Sequence, residues 1–210
     1  MLVSICMATY NGGKFIREQV DSILNQEFTE NEGVEIELVV SDDGSTDDTI
    51  QILESYHDPR IKIFMHQNKK EHKYLNANRK TSENFENALM KAKGDYLFFS
   101  DQDDVWSRWK LDKSLSVLRK FGGIVATAFE VGDERLQVMG KVVYNHHAPF
   151  FSFKDQLGCY GFSMGISRDE LKYILPIPSM VTGHDKYIQY SAMWRKRLHF
   201  IDEPCAIHRW

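Results

Sequence analysis

Cysteine is scarce in this 210-residue chain. Cys6, Cys159 and Cys205 are odd in number and far apart, which argues against a disulfide framework and for a reducing compartment. Long apolar runs are missing too: no stretch approaches the roughly 18 residues of a membrane span. The first residues, "MLVSICMATYNGG", carry no basic leader and read as a strand rather than a signal peptide. Positive charge is not in excess. A net charge of −4 gives no electrostatic footprint for nucleic acid. Neither G-x-x-x-x-G-K-[ST] nor G-x-G-x-x-G occurs, so neither a P-loop nor the dinucleotide fingerprint applies. There is no internal repeat, no low-complexity tract and no linker rich in Gly, Pro or Ser. These absences leave a cytoplasmic, single-domain globular chain. Peripheral contact with the inner face of a membrane stays open, because it needs only a surface.

The composition suits that expectation: 42% hydrophobic and 27% charged residues are ordinary for a globular domain. A chain of this length buries roughly 70% of its unfolded surface and needs no staples.

The first 130 residues alternate between two periods. "LVSICMA" (2–8), "VEIELVVS" (34–41), "IKIFMH" (61–66), "YLFFS" (96–100) and "GIVATAFEV" (123–131) are strand-like. Between them lie helical patterns. One carries Ile16, Val20, Ile23 and Leu24. Another opens at Ser45, with Asp48 at capping-box spacing and Ile50 and Leu53 following. A third carries Phe85, Leu89 and Ala92, with Gly94 in the C′ role. A fourth is capped by Ser107, carries Leu111, Leu115 and Leu118, and ends at Gly122-Gly123. Such alternation predicts an α/β fold with a mostly parallel sheet and crossover helices. The second half is less regular: strand-like "CYGFSMGIS" (159–167), a helix near 183–196 and a strand at 198–202.

Ligands of open α/β sheets bind beyond the carboxyl ends of the strands. The first strand exits into Thr9-Tyr10-Asn11-Gly12-Gly13 and the second into Asp42-Asp43-Gly44-Ser45. The third exits into His66 and a basic loop with Lys69, Lys70, His72, Lys73, Arg79 and Lys80. The fourth exits into Asp101-Gln102-Asp103-Asp104. Taken singly, the second is a common turn and the third a solvated face. Together, five acids at neighbouring strand ends repel one another and either raise each other's pKa or recruit a cation. Asp101 and Asp103, at i and i+2 across a sharp turn, can converge on one ion. Oxygen donors without clustered His or Cys favour Mg²⁺ or Mn²⁺ over Zn²⁺. Such ions fill their shells with water and substrate phosphates, so the acids imply a phosphorylated substrate.

"MATYNGGKFIREQVDSILNQ", "VVSDDGSTDDT" and "KGDYLFFSDQDDVW" resemble the successive motifs of family 2 glycosyltransferases with the GT-A fold. "SDQDDVW" resembles the bacterial rhamnosyltransferase-like branch, which builds surface polysaccharides. The match is dense over residues 2–120 and thin beyond. The resemblance implies a nucleotide-sugar half, about 1–104, and an acceptor half, about 105–210. It implies that Thr9, Tyr10 and Asn11 border the nucleotide. Asp43, with Asp42 beside it, would take the base. Asp101 and Asp103 would form the DXD motif, holding Mn²⁺ or Mg²⁺ against the donor's diphosphate, and His208 would be a late metal or diphosphate ligand. Trp106 would offer a ring face to the acceptor sugar, or else pack in the core. Asp185, in "TGHDKYIQY", would be the general base, with His184 as its neighbour on the acceptor side. A helix-dipole role for Asp185 is the plain alternative. Lys186 departs from the family's usual acids or aromatics. Family members usually continue well past His208-Arg209, so a C-terminal tail is expected to be missing. The implied activity is inverting, metal-dependent transfer from a nucleotide-sugar, UDP- or dTDP-linked, to a glycan or lipid-linked acceptor. The rival expectations are a sugar nucleotidyltransferase, a non-catalytic nucleotide-sugar-binding partner and a receiver-like signalling domain.

Overall fold

The computed structural model describes residues 1–66, 77–144, 159–181 and 183–210. Most of the basic loop, with Lys69, Lys70, His72 and Lys73, lies outside the described residues.

Among the described residues nine strands form one sheet. They are β1 (Leu2–Thr9), β2 (Glu35–Asp42), β3 (Ile61–Met65), β4 (Tyr96–Ser100), β5 (Val105–Trp106), β6 (Ile124–Gly132), β7 (Val138–Val142), β8 (Met164–Ser167) and β9 (Leu198–Arg209). Six α-helices of the described residues accompany them: α1 (Ile16–Leu24), α2 (Thr49–Glu54), α3 (Ala77–Lys91), α4 (Lys110–Phe121), α5 (Leu171–Ile174) and α6 (His184–Trp194). The sheet runs β3-β2-β1-β4-β8-β6-β9-β5, with β7 on β6.

The strand–helix alternation of the first half gives the expected parallel sheet: β3, β2, β1 and β4 pair in parallel. The second half departs from it. The fifth predicted strand, β6, runs the same way as β4 but does not touch it. β8 is inserted antiparallel to both. β9 returns parallel to β6, and β5 and β7 pair antiparallel. The sheet is therefore mixed rather than mostly parallel. Alternation along a strand fixes which side chains share a face, not which strand lies next to it.

Both faces are covered, and the alternation of each strand feeds two cores. Val3, Ile5 and Met7 of β1, Leu38 and Val40 of β2 and Phe98 of β4 pack against Ile16, Val20 and Ile23 of α1, Leu53 of α2 and Leu111, Leu115 and Leu118 of α4. The intervening Cys6, Val39, Leu97 and Phe99 face the other way, onto Phe85, Ala88 and Leu89 of α3 and Ile188 and Ala192 of α6. All three cysteines are buried free thiols.

Three local expectations need correction. The second helix begins at Thr49, not Ser45. The Ser45 hydroxyl is spent elsewhere, donating to Asp42 (2.6 Å) and accepting from the Asn11 amide (2.8 Å). Asp47 meets the helix entry instead, accepting from the Thr49 amide at 3.1 Å. Gly94 is not a left-handed cap. α3 ends at Lys91, and a side chain at 94 would bring Cβ within 2.5 Å of the Ser4 nitrogen. Ser107 makes no side-chain cap; α4 starts at Lys110, whose N–H bonds the Ser107 carbonyl (3.1 Å). Gly122 and Gly123 do end α4, at φ of 63° and 79°.

Candidate active site

The exits of β1, β2 and β4 open on one edge of the sheet. They line a cavity of about 700 Å³ together with α3 and the end of β9. Thr9, Tyr10, Asp43, Gly44, Asp101, Gln102, Asp103 and His208 form its wall, with Lys80, Thr81 and Asn84 of α3 opposite.

Asp42 is not part of the wall but anchors the loop that carries Asp43. Its carboxylate is fully buried and accepts four bonds: from the Thr9 hydroxyl (2.8 Å), the Ser45 hydroxyl (2.6 Å), and the amides of Gly44 (3.0 Å) and Ser45 (2.8 Å). A carboxylate so saturated holds the loop and has little left for a ligand. Asp43 is the acid that reaches the cavity, and the ring of His66, from the β3 exit, lies 3.0 Å from its Oδ1. Asn11 does not line the cavity. It ties the β1 loop to the β2 loop, its Oδ1 accepting from the Thr46 amide at 2.8 Å.

Asp101 and Asp103 both face the cavity. Burial, followed by the charges of Asp104 and Asp103, pushes the Asp101 carboxyl well above the usual carboxylate range. Asp103 is raised too, by burial and then by Asp104. Asp104 is fully buried and stays out of the wall. Its Oδ1 lies 2.8 Å from His208 Nδ1, and its Oδ2 has no hydrogen-bond partner among the described residues. β9 carries His208 here by pairing along β6 and β5. The His208 ring stacks on Phe162, centroids 4.7 Å apart at 11°. Burial opposes its charging, but the bond to Asp104 and the charges of Asp104, Asp101 and Asp103 outweigh that and raise its pKa.

These residues fit a hard divalent cation. Burial and Asp104 hold the two crowded carboxyls above their normal pKa against the opposing charges of His208 and, at Asp103, Arg209, and with His208 Nδ1 committed to Asp104 the ring's other nitrogen, Nε2, is the one a metal could take. Among the described residues no group of three His, Cys, Asp or Glu side chains forms a ready-made cage. That suits an ion completed by substrate phosphates.

Asp185 opens α6 as a first-turn acid. It stands beside the cavity rather than in its wall, close enough for its charge to raise Asp101. His184 next to it is buried, its ring 4.4 Å from Phe85 and 5.8 Å from Phe99. Burial pushes its pKa down to about 4, so the imidazole is neutral at pH 7. Its Nε2 has no partner among the described residues, and a side chain at Gly161 would come within 2.7 Å of it. Trp106 belongs to the core, not to an acceptor site. It is 3% exposed, edge-on to Phe98 with centroids 6.4 Å apart, and the Lys110 ammonium lies 5.0 Å from its ring centre. No face of the ring is left for a sugar.

Sequence reasoning missed the α3 wall. Asn84 donates to the Thr9 carbonyl (3.1 Å) and Asn87 to the Ser41 hydroxyl (2.8 Å). The signal was present: two amides three residues apart in "TSENFENALM", on a helix otherwise marked by its apolar face. Gln102 was also passed over as the spacer between two acids.

The sequence model described as glycosyl transferase family 2 matches residues 4–175. The chain belongs to that family. Among curated relatives it is 34% identical over 119 residues to the putative teichuronic acid biosynthesis glycosyltransferase TuaG of Bacillus subtilis, covering 56% of this chain and 42% of that one. It is 36% identical over 116 residues to the dTDP-rhamnosyl transferase RfbG of Shigella flexneri, covering 53% and 36%. The chain thus spans about four tenths of the length of such relatives. The crystal structure of S. aureus TarS residues 1–349 with UDP superposes at a TM-score of 0.75, with 20% identity, over all of this chain and 61% of that one. The mannosyltransferase PcManGT of Pyrobaculum calidifontis, with GDP-Man and Mn²⁺, superposes at 0.66, with 17% identity, over all of this chain and 56% of that one. The fold is GT-A. No helix among the described residues is long and apolar enough to cross a membrane.

Proposed function

We propose that this glycosyltransferase domain moves a sugar, with inversion, from a nucleoside-diphosphate sugar to a hydroxyl of a glycan or lipid-linked acceptor in bacterial surface polysaccharide synthesis. The observation that carries the reading is the convergence of Asp101, Asp103 and His208 opposite Asp43 in one 700 Å³ cavity, with Asp185 at its edge. The names of the relatives, a teichuronic acid enzyme and a dTDP-rhamnosyl transferase, support the product class and a dTDP-linked donor. The UDP, GDP-Man and Mn²⁺ of the two fold relatives belong to the same ligand class.

In this reading the β1 loop with Thr9 and Tyr10 borders the nucleoside, and Asp43, steadied by His66, accepts from its base. Asp101, Asp103 and His208 Nε2 would hold Mn²⁺ or Mg²⁺. Bound there, the ion supplies Lewis-acid stabilisation of the diphosphate leaving group. Asp185 takes the proton from the acceptor hydroxyl as its oxygen attacks the anomeric carbon, and the carbon–oxygen bond to the diphosphate breaks on the opposite face. Neutral His184 adds no positive charge beside that base. The domain acts in the cytoplasm, at the inner face of the membrane when the acceptor is lipid-linked.

The test is transfer from UDP-, dTDP- and GDP-sugars with and without Mn²⁺. Asp103→Ala is expected to abolish metal-stimulated transfer and weaken nucleotide binding. Asp185→Asn is expected to spare nucleotide binding and remove transfer. Full activity of the first variant in chelator, or undiminished turnover of the second, overturns the corresponding role.

A further inference from the structure

Gln102 lies between the two acids that face the cavity, and its side chain crosses to the β1 loop. There the carboxamide bonds the backbone of one residue twice: Oε1 accepts from the Tyr10 N–H (2.9 Å) and Nε2 donates to the Tyr10 carbonyl (3.1 Å). The arrangement copies one rung of an antiparallel ladder, with a side chain in place of a strand. The neighbouring backbone is shaped for it. A Cβ on Gly12 would sit 2.3 Å from Gln102 Oε1 and 2.5 Å from its carboxamide carbon. A residue with any side chain at position 12 would push the amide out.

The β1 loop is tied onward to the β2 exit. Asn11, at φ 49°, accepts from the Thr46 amide, and its own amide bonds Ser45, which is anchored on Asp42. Hydrogen bonds from Gln102 to the Tyr10 backbone, the peptide link to Asn11 and the bonds from Asn11 to Ser45 and Thr46 therefore connect the loop of Asp101 and Asp103 to the loop of Asp43.

We infer that Gln102 is a positioning residue that couples the metal loop to the nucleotide loop, so that a divalent cation and a nucleoside diphosphate strengthen each other's binding. This rests on the nucleotide-sugar reading. An ion drawing Asp101 and Asp103 together fixes the loop between them, and Gln102 passes that order to Tyr10. By linkage the nucleotide returns the same factor to the metal. The residue type suits the chemistry: a carboxamide offers a donor and an acceptor side by side, which an ionised carboxylate does not. Glutamate would keep the bond from the Tyr10 N–H and lose the one to its carbonyl, and asparagine is one methylene short.

The experiment is calorimetric titration of the whole chain with UDP, dTDP and GDP, each with and without Mn²⁺. In the wild type, Mn²⁺ tightens binding of the preferred diphosphate. In Gln102→Ala that enhancement is expected to fall at least about fivefold, a larger loss than any in metal-free nucleotide binding. Gly12→Ala is expected to cause the same loss alone and no further loss in the Gln102→Ala background, where the methyl has room. Should Gln102→Ala melt too early to titrate, Gln102→Glu replaces it and is expected to show an intermediate enhancement. An undiminished enhancement in the Gln102 variants, a loss equal with and without metal, or additive losses in the double variant each overturn the coupling while leaving the donor reading intact. A wild-type chain that binds none of the three diphosphates overturns both.

Discussion

His208 Nδ1 lies 2.8 Å from Asp104 Oδ1, joining two residues 104 positions apart. The carboxylate holds a proton on Nδ1, so Nε2 is the nitrogen open to a metal once the ring gives up its second proton. Asp104→Asn can turn its NH₂ toward Nδ1 and reverse the tautomer. Mn²⁺ affinity in the presence of nucleotide is then expected to drop by about 10–100-fold, read by titration, with the fold retained by circular dichroism. Unchanged Mn²⁺ affinity would remove His208 from the metal site.

His184 makes a prediction about pH. Its pKa is pushed from 6.5 to about 4 by burial in the folded chain, so protonation favours the unfolded state. The stability this group contributes is complete above pH 6.5 and is lost as pH falls toward 4, a change of the order of 3 kcal/mol at most. Asp101 and Asp103 act the other way: with raised pKa values they favour the folded state at low pH. The comparison with His184→Leu isolates the histidine. The difference in melting temperature between the two proteins should shift in favour of the variant between pH 7 and 5. Parallel pH profiles would contradict a buried neutral imidazole.

Trp106 separates core from acceptor site. Trp106→Ala is expected to cost about 3–5 kcal/mol of unfolding free energy, measured by urea denaturation, with Trp106→Phe much milder. A rise in acceptor KM with stability intact would restore the sugar-facing role that 3% exposure denies it.

Gly94 is required by proximity rather than by dihedral angle. A Cβ there meets backbone, the Ser4 nitrogen at 2.5 Å and the Leu2 carbonyl at 2.8 Å, which cannot swing aside. Gly94→Ala should destabilise by about 1–3 kcal/mol. A melting temperature equal to wild type would show that α3 and β1 can separate freely.

Much of the N-terminal half could be read from the chain because its information is local. Alternation marks β1 to β4, and the polar residues at their ends fall together as soon as those strands pair in parallel. What escaped depends on contacts remote in sequence. Nothing near Ser45 says that the Asn11 amide, 34 positions away, shares its hydroxyl with Asp42, so it looks like a cap. Nothing near Gly94 shows Ser4 pressed against it, so it looks like a helix stop. Trp106 follows an acid cluster, and only the closing of β9 over β5 puts it inside. Gln102 seemed a spacer because its partner, Tyr10, is 92 positions away.

The place of β8 bears on how the chain reaches this structure. β4 and β6 are complete by Gly132, yet neither can bond the other, because Met164–Ser167 belongs between them. A chain emerging from the ribosome therefore carries two facing, unsatisfied edges for some thirty residues of synthesis. Exposed edges of this kind invite pairing with other chains, and a closure of such sequence separation is slow. Truncation before Met164 should yield an aggregating product, not a smaller soluble domain. Folding of the N-terminal half and arrival of the C-terminal half are in this way one event.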